Sequence, residues 1–174
     1  MKTRVILSAA GSDRPGLTRS LAEAVLAAGG NWLESHLSRL GGRYVGSVLV
    51  ELDAGKLAEF ADAIRSVDAS GLSVTLVAAG EEPAAGGEML RLELVGQDRP
   101  GIVREVTSVL AELGVNIEDF ATSIENGAWS GERLFRLAAR LNIPQGTTSE
   151  QVRSALEAIS GEIMVDFSFS AAGT

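Results

Sequence analysis

One helical pattern of apolar residues occurs twice in the chain. The apolar positions are spaced by four, four and three residues, and the whole pattern recurs 85 residues later: Leu17, Leu21, Val25 and Ala28, then Ile102, Val106, Leu110 and Leu113. This spacing is typical of one buried face of an α-helix. Each predicted helix is followed by a glycine, Gly29 or Gly114, which ends the helix by allowing a left-handed residue.

The segments between the helices follow the same repeat. Short apolar runs predict strands over residues 5–10, 32–39, 44–52 and 72–78, with a second helix over 57–67. The second half predicts strands over 90–95, 117–124, 134–141 and 163–169, with a helix over 150–159. Each half has the order βαββαβ, which predicts an α+β protein made of two ferredoxin-like units, each a four-stranded antiparallel sheet with two helices on one face. We expect domains at 1–80 and 89–170, packed together and joined by a linker at 81–88.

Composition limits the function classes. The net charge is −8 without a basic run, which disfavours direct nucleic-acid binding. The absence of cysteine excludes disulfides and cysteine metal sites, in agreement with a cytoplasmic protein. The apolar run at residues 5–10 is too short to span a membrane, so we expect no membrane partner.

Few side chains suggest catalysis. The single histidine, His36, aligns with Ala121 in the repeat, which favours a structural role. Carboxylates such as Glu105 are predicted to lie on solvated helix faces. The repeat-related Glu34 and Asp119 could contact a ligand or form surface salt bridges, and we favour the latter. We therefore expect no enzyme, no metal site and no cofactor.

The most distinctive motif is Asp-Arg-Pro-Gly, which lies between the first strand and the first helix of each half, at Asp13–Gly16 and Asp98–Gly101. It lacks the features of a Walker loop or a dinucleotide fingerprint. We expect the aspartate to cap the helix and the proline to lie in its first turn. A glycine turn before a helix favours an anion such as a carboxylate. A purely structural tight turn is the alternative.

An asparagine follows the first helix in each half, Asn31 or Asn116. Its amide offers donors and an acceptor, which could recognise a zwitterion. A turn residue with a left-handed backbone is the alternative interpretation.

The Asp-Arg-Pro-Gly motif, followed by a glycine–asparagine corner on a βαββαβ pattern, resembles the ACT domain family. The resemblance covers both halves, and a tandem pair without a catalytic domain is similar to the glycine cleavage system transcriptional repressor type. It implies a regulator that binds an amino acid or similar carboxylate between two units. The implied ligand residues are Asp13, Arg14, Pro15, Gly16, Leu17 and Asn31, with Asp98, Arg99, Pro100, Gly101, Ile102 and Asn116.

The resemblance also implies control of amino-acid metabolism or its transcription through a protein partner, and a homo-oligomer. The alternative is a protein-binding adaptor without a small-molecule ligand. An RNA-recognition domain shares the βαββαβ order, but the third strands here lack the pattern of aromatic residues on which it stacks bases.

The charge balance generates the first prediction. We expect the pure protein to bind DNA weakly or not at all at physiological salt, because an acidic chain repels the phosphate backbone. A gel-shift titration checks this, and sequence-specific sub-micromolar binding would contradict it.

Overall fold

The chain divides into two compact units in its computed structural model, Met1–Glu82 and Pro83–Thr174. The structure describes residues 1–68, 71–81, 86–126, 132–159 and 164–169. Residues 82–85 of the predicted linker and the predicted domain end at residue 170 lie outside the described residues. The domain boundaries therefore stay a prediction.

The first unit contains strands β1 (Lys2–Ser12), β2 (Asn31–Leu40), β3 (Arg43–Asp53) and β4 (Leu72–Ala78), with helices α1 (Leu17–Ala27) and α2 (Leu57–Asp68). The second unit contains strands β5 (Glu88–Gln97), β6 (Asn116–Asn126), β7 (Arg133–Ile143) and β8 (Met164–Phe169), with helices α3 (Ile102–Glu112) and α4 (Ser149–Glu157).

Each unit forms one antiparallel sheet. The strand orders are β2-β3-β1-β4 and β6-β7-β5-β8, and every strand pair is antiparallel. This order confirms the predicted pair of ferredoxin-like βαββαβ units. No helix among the described residues is both long and apolar enough to cross a lipid bilayer.

The core of each unit lies between the sheet and its helices. In β1 every second side chain is buried, at Val5, Leu7 and Ala9, and the α1 face formed by Leu17, Leu21 and Val25 is buried as well. The second unit repeats this arrangement through Leu90, Leu92 and Leu94 of β5 and the matching face of α3. The apolar residues recur with a period of two in the strand and near 3.6 in the helix, so the apolar face of each element packs into one layer between sheet and helices.

The strands extend beyond their apolar runs. Strand β1 pairs with β3 from Lys2, opposite Asp53, to Ser12, opposite Arg43. Polar residues at both ends continue the hydrogen-bonded ladder, although only the central residues carry the apolar alternation. The prediction over residues 5–10 was therefore too short.

The predicted helix starts are wrong in one respect. Neither aspartate caps a helix, and both prolines precede the helices, because Gly16 and Gly101 occupy the N-cap positions with φ of 92° and 93°. The aspartates instead pair with arginines. The ion pairs are Asp13 Oδ2 with Arg39 Nε and Asp98 Oδ2 with Arg133 Nε, each at 3.3 Å. The predicted helix ends are confirmed, since Gly29 and Gly114 both have φ of 68°.

The backbone at Gly16 generates the second prediction. Alanine there should lower the free energy of unfolding by about 1–2 kcal/mol, because a Cβ disfavours a left-handed backbone. Crowding does not contribute, since a Cβ at Gly16 would meet no atom within 4 Å. Gly55 is the matched control, with equal space and no positive φ, so Gly55→Ala should change stability little. Urea denaturation measures both, and a Gly16→Ala variant as stable as the wild type would contradict the prediction.

Candidate functional site

The two strand-to-helix connections are the candidate site. We call residues 11–17, which join β1 to α1, the first corner, and residues 96–102, which join β5 to α3, the second corner. In the first corner Asp13, Arg14, Pro15 and Gly16 are exposed. Leu17 is only 3% exposed, and Ile102 at the second corner 4%. The structure therefore places these two predicted ligand residues in the core, where they anchor the helix starts.

Helices α1 and α3 begin without a side-chain cap. Within the described part of the chain, no side chain accepts a hydrogen bond from the Leu17, Thr18 or Arg19 amide. Helix α4 is different, because Thr148 and Gln151 form a complete capping box. Uncapped amides and the helix dipole attract an anion to a helix start.

The first corner has an excess of positive charge. Arg39 pairs with Asp13, and Arg43 Nη1 donates to Ser12 Oγ at 3.1 Å. Arg14 has no hydrogen-bond or ion-pair partner among the described residues. The three guanidinium groups and one carboxylate give a formal charge of +2 for the corner and the charged side chains bonded to it.

The second corner is internally neutral. Arg99 forms a two-pronged ion pair with Glu105, in which Nη1 donates to Oε1 at 2.8 Å and Nη2 to Oε2. Arg133 pairs with Asp98. Two guanidinium groups and two carboxylates therefore give a formal charge of zero by the same count.

The ion pair between Arg99 and Glu105 shifts the pKa of both side chains. The hydrogen bonds from Arg99 hold the pKa of Glu105 below its usual value, although desolvation acts in the opposite direction. The same hydrogen bonds raise the pKa of Arg99. Glu105 lies on a partly exposed helix face, and its ion pair with Arg99 was not predicted from the sequence. A signal for its role was present in the sequence, because Glu105 aligns with Ser20 while Arg99 and Arg14 are both arginines.

A pair of hydroxyl groups links the first turn of α1 to strand β3. Thr18 Oγ1 lies 2.9 Å from the Tyr44 hydroxyl, and Tyr44 is buried at the start of β3. In the second unit Val103 is the residue equivalent to Thr18 by the repeat offset. Phe135 is the residue equivalent to Tyr44 by the strand register. The hydroxyl pair is therefore confined to the first unit, and it was not predicted from the sequence.

An open depression borders the second corner. Its volume is about 480 Å³, and it is lined by Gly101, Arg104, Glu105, Ser108, Val109 and Ile159. Its apolar walls come from Val109 of α3 and from Ile159, two residues past the end of α4.

The asparagines lie far from the corners of their own units. Asn31 pairs with Glu51, which pairs with Arg4, whereas Ser12 of the first corner lies at the opposite end of β1. Eight residues separate Arg4 from Ser12 along β1, or about 26 Å at 3.3 Å per residue. Asn116 has the same placement, because it pairs with Asn142 of β7, which pairs in turn with Met89 near the start of β5.

The asparagines also differ in their partners. Asn116 Nδ2 donates to Glu118 Oε1 at 2.7 Å. Asn31 has no side-chain partner among the described residues, and the position equivalent to Glu118 is Leu33. The structure therefore does not assemble asparagine and corner into one site within a unit.

The remaining candidate residues form only surface contacts. His36 Nε2 lies 3.1 Å from Glu34 Oε1, and both side chains are more than half exposed. Asp119 aligns with Arg140 across the β6–β7 ladder but makes no ion pair within the described residues. No group of three or more histidine, aspartate or glutamate residues that could hold a metal occurs among them.

The Arg99–Glu105 pair generates the third prediction. A carboxylate whose pKa is lowered by folding stabilises the fold above its unfolded pKa, and that stabilisation is lost as pH falls through the folded pKa. Wild-type protein should therefore be more stable than Glu105→Gln at pH 7, and the difference should shrink below about pH 4.3, the ordinary glutamate value. Thermal unfolding across this range measures it. The exposed Glu112→Gln variant of the same helix is the control, and a pH-independent difference would contradict the assignment.

Comparison with known proteins agrees with this geometry. Family models described as ACT domain match residues 3–76 and 90–140. A UPF0237 protein of Methanopyrus kandleri is 32% identical over 72 residues, which cover 41% of this chain and 79% of that protein.

The similarity to solved structures extends over almost the whole chain. A protein of unknown function from Galdieria sulphuraria has a TM-score of 0.84 at 28% identity, covering 98% of this chain and all of its own. A protein assigned as a glycine cleavage system transcriptional repressor has a TM-score of 0.71 at 14% identity, covering 98% of this chain and 99% of its own. The likeness to the second shows a shared fold. With an Asp-Arg-Pro-Gly corner on a ferredoxin-like sheet in each half, this chain belongs to the ACT domain family.

Proposed function

We propose that this protein is a regulator that binds an amino acid, or a similar small carboxylate, at a strand-to-helix corner. The observation that carries the proposal is the first corner, where an uncapped helix start lies in a patch of formal charge +2 with Arg14, which has no partner in the part of the chain that the structure describes. Membership of the ACT domain family supports a regulatory role, and the proposal assigns no catalytic role to any residue.

The chemistry of the corner suits a carboxylate. The free amides at the start of α1 would donate to the two oxygens, and the planar guanidinium of Arg14 would add charge-assisted hydrogen bonds. Open space surrounds Gly16, so a ligand can approach the backbone. The ammonium group of an amino acid needs acceptors, for which Asp13 and the carbonyl groups of the corner are candidates. Within one unit, Asn31 lies too far away to contact the same ligand.

The bound state would be transmitted to another macromolecule. We propose a cytoplasmic homo-oligomer that acts on a protein partner, and a role in control of amino-acid metabolism or its transcription. The repressor assignment of the structurally similar protein supports this. Exposed apolar side chains are available for contacts, since Leu26 is 75%, Leu40 71% and Val77 54% exposed. A partner-binding adaptor without a ligand is the alternative.

Ligand binding generates the fourth prediction. A calorimetric titration with each of the twenty amino acids should identify at least one ligand. Arg14→Gln should then lower the affinity for that ligand about tenfold or more, because a hydrogen bond to a charged group contributes about 1.5–3 kcal/mol. The matched control is Arg65→Gln, which removes an exposed arginine paired with Asp62 on α2. This control should bind as the wild type does.

Two results would oppose the proposal. If no amino acid binds, or none raises the melting temperature, the adaptor becomes the better account. If a ligand binds with equal affinity to the wild type and Arg14→Gln, binding does not use the first corner.

A further inference from the structure

We propose that the two corners differ in function: the first corner is open to a ligand carboxylate, whereas the second is closed by its own Glu105, which occupies Arg99 as a ligand carboxylate would. This inference rests on the proposed function and adds which unit binds and what restricts the other. Glu105 acts here as an internal substitute for the ligand.

The pairing of Arg99 shows the substitution. Both oxygens of Glu105 accept from the guanidinium of Arg99, which is the fork geometry by which arginine binds a free carboxylate. In the first unit the aligned residue is Ser20, whose single hydroxyl cannot form such a pair. Arg14 is accordingly without a partner among the described residues.

Intramolecular pairing gives Glu105 an advantage over a dissolved ligand. It lies six residues from Arg99 in the chain, so its effective concentration at the guanidinium is on the order of millimolar or more. A free amino acid would have to displace it. The closure needs no unusually strong ion pair, because both side chains are partly exposed and surface pairs are weak in absolute terms.

The charge around the helix start also differs between the two units. The first turn of α3 contains Glu105, whereas the first turn of α1 contains no acidic residue. A carboxylate in the first turn already interacts favourably with the helix dipole. With its formal charge of zero, the second corner therefore attracts a further anion less than the first.

The asparagines at the other end of each sheet differ between the units in the same way, and this difference is independent of the corners. The side-chain amide of Asn116 donates to the carboxylate of Glu118. In the first unit the residue equivalent to Glu118 is Leu33, which cannot accept a hydrogen bond from the side chain of Asn31. The arginine and the asparagine that the family resemblance assigns to ligand binding are thus each bonded to a glutamate in the second unit. Among the described residues neither of them has a glutamate partner in the first unit.

The depression beside Gly101 does not oppose this assignment. Its apolar walls, including Val109 and Ile159, could hold the apolar part of a ligand. Glu105 also lines it, however, and the negative charge of this residue would repel a ligand carboxylate. Exchange of Glu105 for serine removes that charge and frees Arg99 beside the same depression.

The test exchanges the two aligned residues. Wild type, Ser20→Glu and Glu105→Ser are titrated with an equimolar mixture of the twenty amino acids, while NMR follows the Gly16 and Gly101 amides. Sodium chloride at matched ionic strength is the reference titration. We expect saturable shifts at Gly16 alone in the wild type, at least tenfold weaker binding at Gly16 in Ser20→Glu, and a new response at Gly101 in Glu105→Ser.

Two further variants separate these effects from altered folding. Glu112→Gln changes an exposed acid at the end of α3 and should respond as the wild type does. Glu105→Gln keeps side-chain size but removes the charge, and it should also open the second corner. Melting curves of all variants verify that the corners are folded.

The outcomes distinguish this inference from the proposed function. If Gly101 responds in the wild type with an affinity similar to that of Gly16, the inference is overturned while the proposed function stands. If Gly16 responds in the wild type but Gly101 stays silent in folded Glu105→Ser and Glu105→Gln, the closing role of Glu105 is overturned. If neither amide responds in the wild type or in Glu105→Ser, both proposals fail.

Discussion

The constraint on which this structure most depends is the left-handed backbone at Gly16 and Gly101. Each glycine lets the chain leave a central strand and enter a helix that packs back onto the same sheet. It occupies the N-cap position with φ near 92° and has no side chain to accept from the first amides. The same requirement that closes the fold therefore leaves a helix start uncapped and open to an anion.

The duplication preserves the backbone and changes the side chains around it. Both units have the same strand order, the same helix-start conformation and the same aspartate–arginine ion pair at 3.3 Å. The differences are single residues: Ser20 against Glu105, Thr18 against Val103, Leu33 against Glu118. Because the backbone is common, each exchange changes charge or hydrogen bonding at a matched position, and the two units act as controls for each other.

The sequence predicts the fold well because apolar periodicity and glycine positions are local signals. The buried faces of α1 and α3 and the helix ends at Gly29 and Gly114 agree with their patterns. The aspartate caps were mispredicted, since a sequence shows that Asp13 can cap but not that Arg39 will lie on the adjacent strand. The placement of Asn31 follows from topology, because the chain returns along α1 to the beginning of β1, about 26 Å from the corner.

The candidate site is less predictable because it depends on pairing. Arg14 and Arg99 are the same residue in the same motif, and only the contact with Glu105 separates them. Alignment of the halves shows Ser20 opposite Glu105, but a glutamate on a helix surface is usually solvated. The geometry of the guanidinium fork was needed to show that this carboxylate is engaged.

The central claim is that the two corners have the same backbone and unlike capacity for a carboxylate. Crystals soaked in bromoacetate test it most directly, because the anomalous signal of bromine locates the bound carboxylate without a fitted ligand. We expect a peak beside Arg14 at the start of α1 and an intact Arg99–Glu105 pair without a peak. A peak beside Arg99 with Glu105 displaced, as strong as any peak beside Arg14, would contradict the claim.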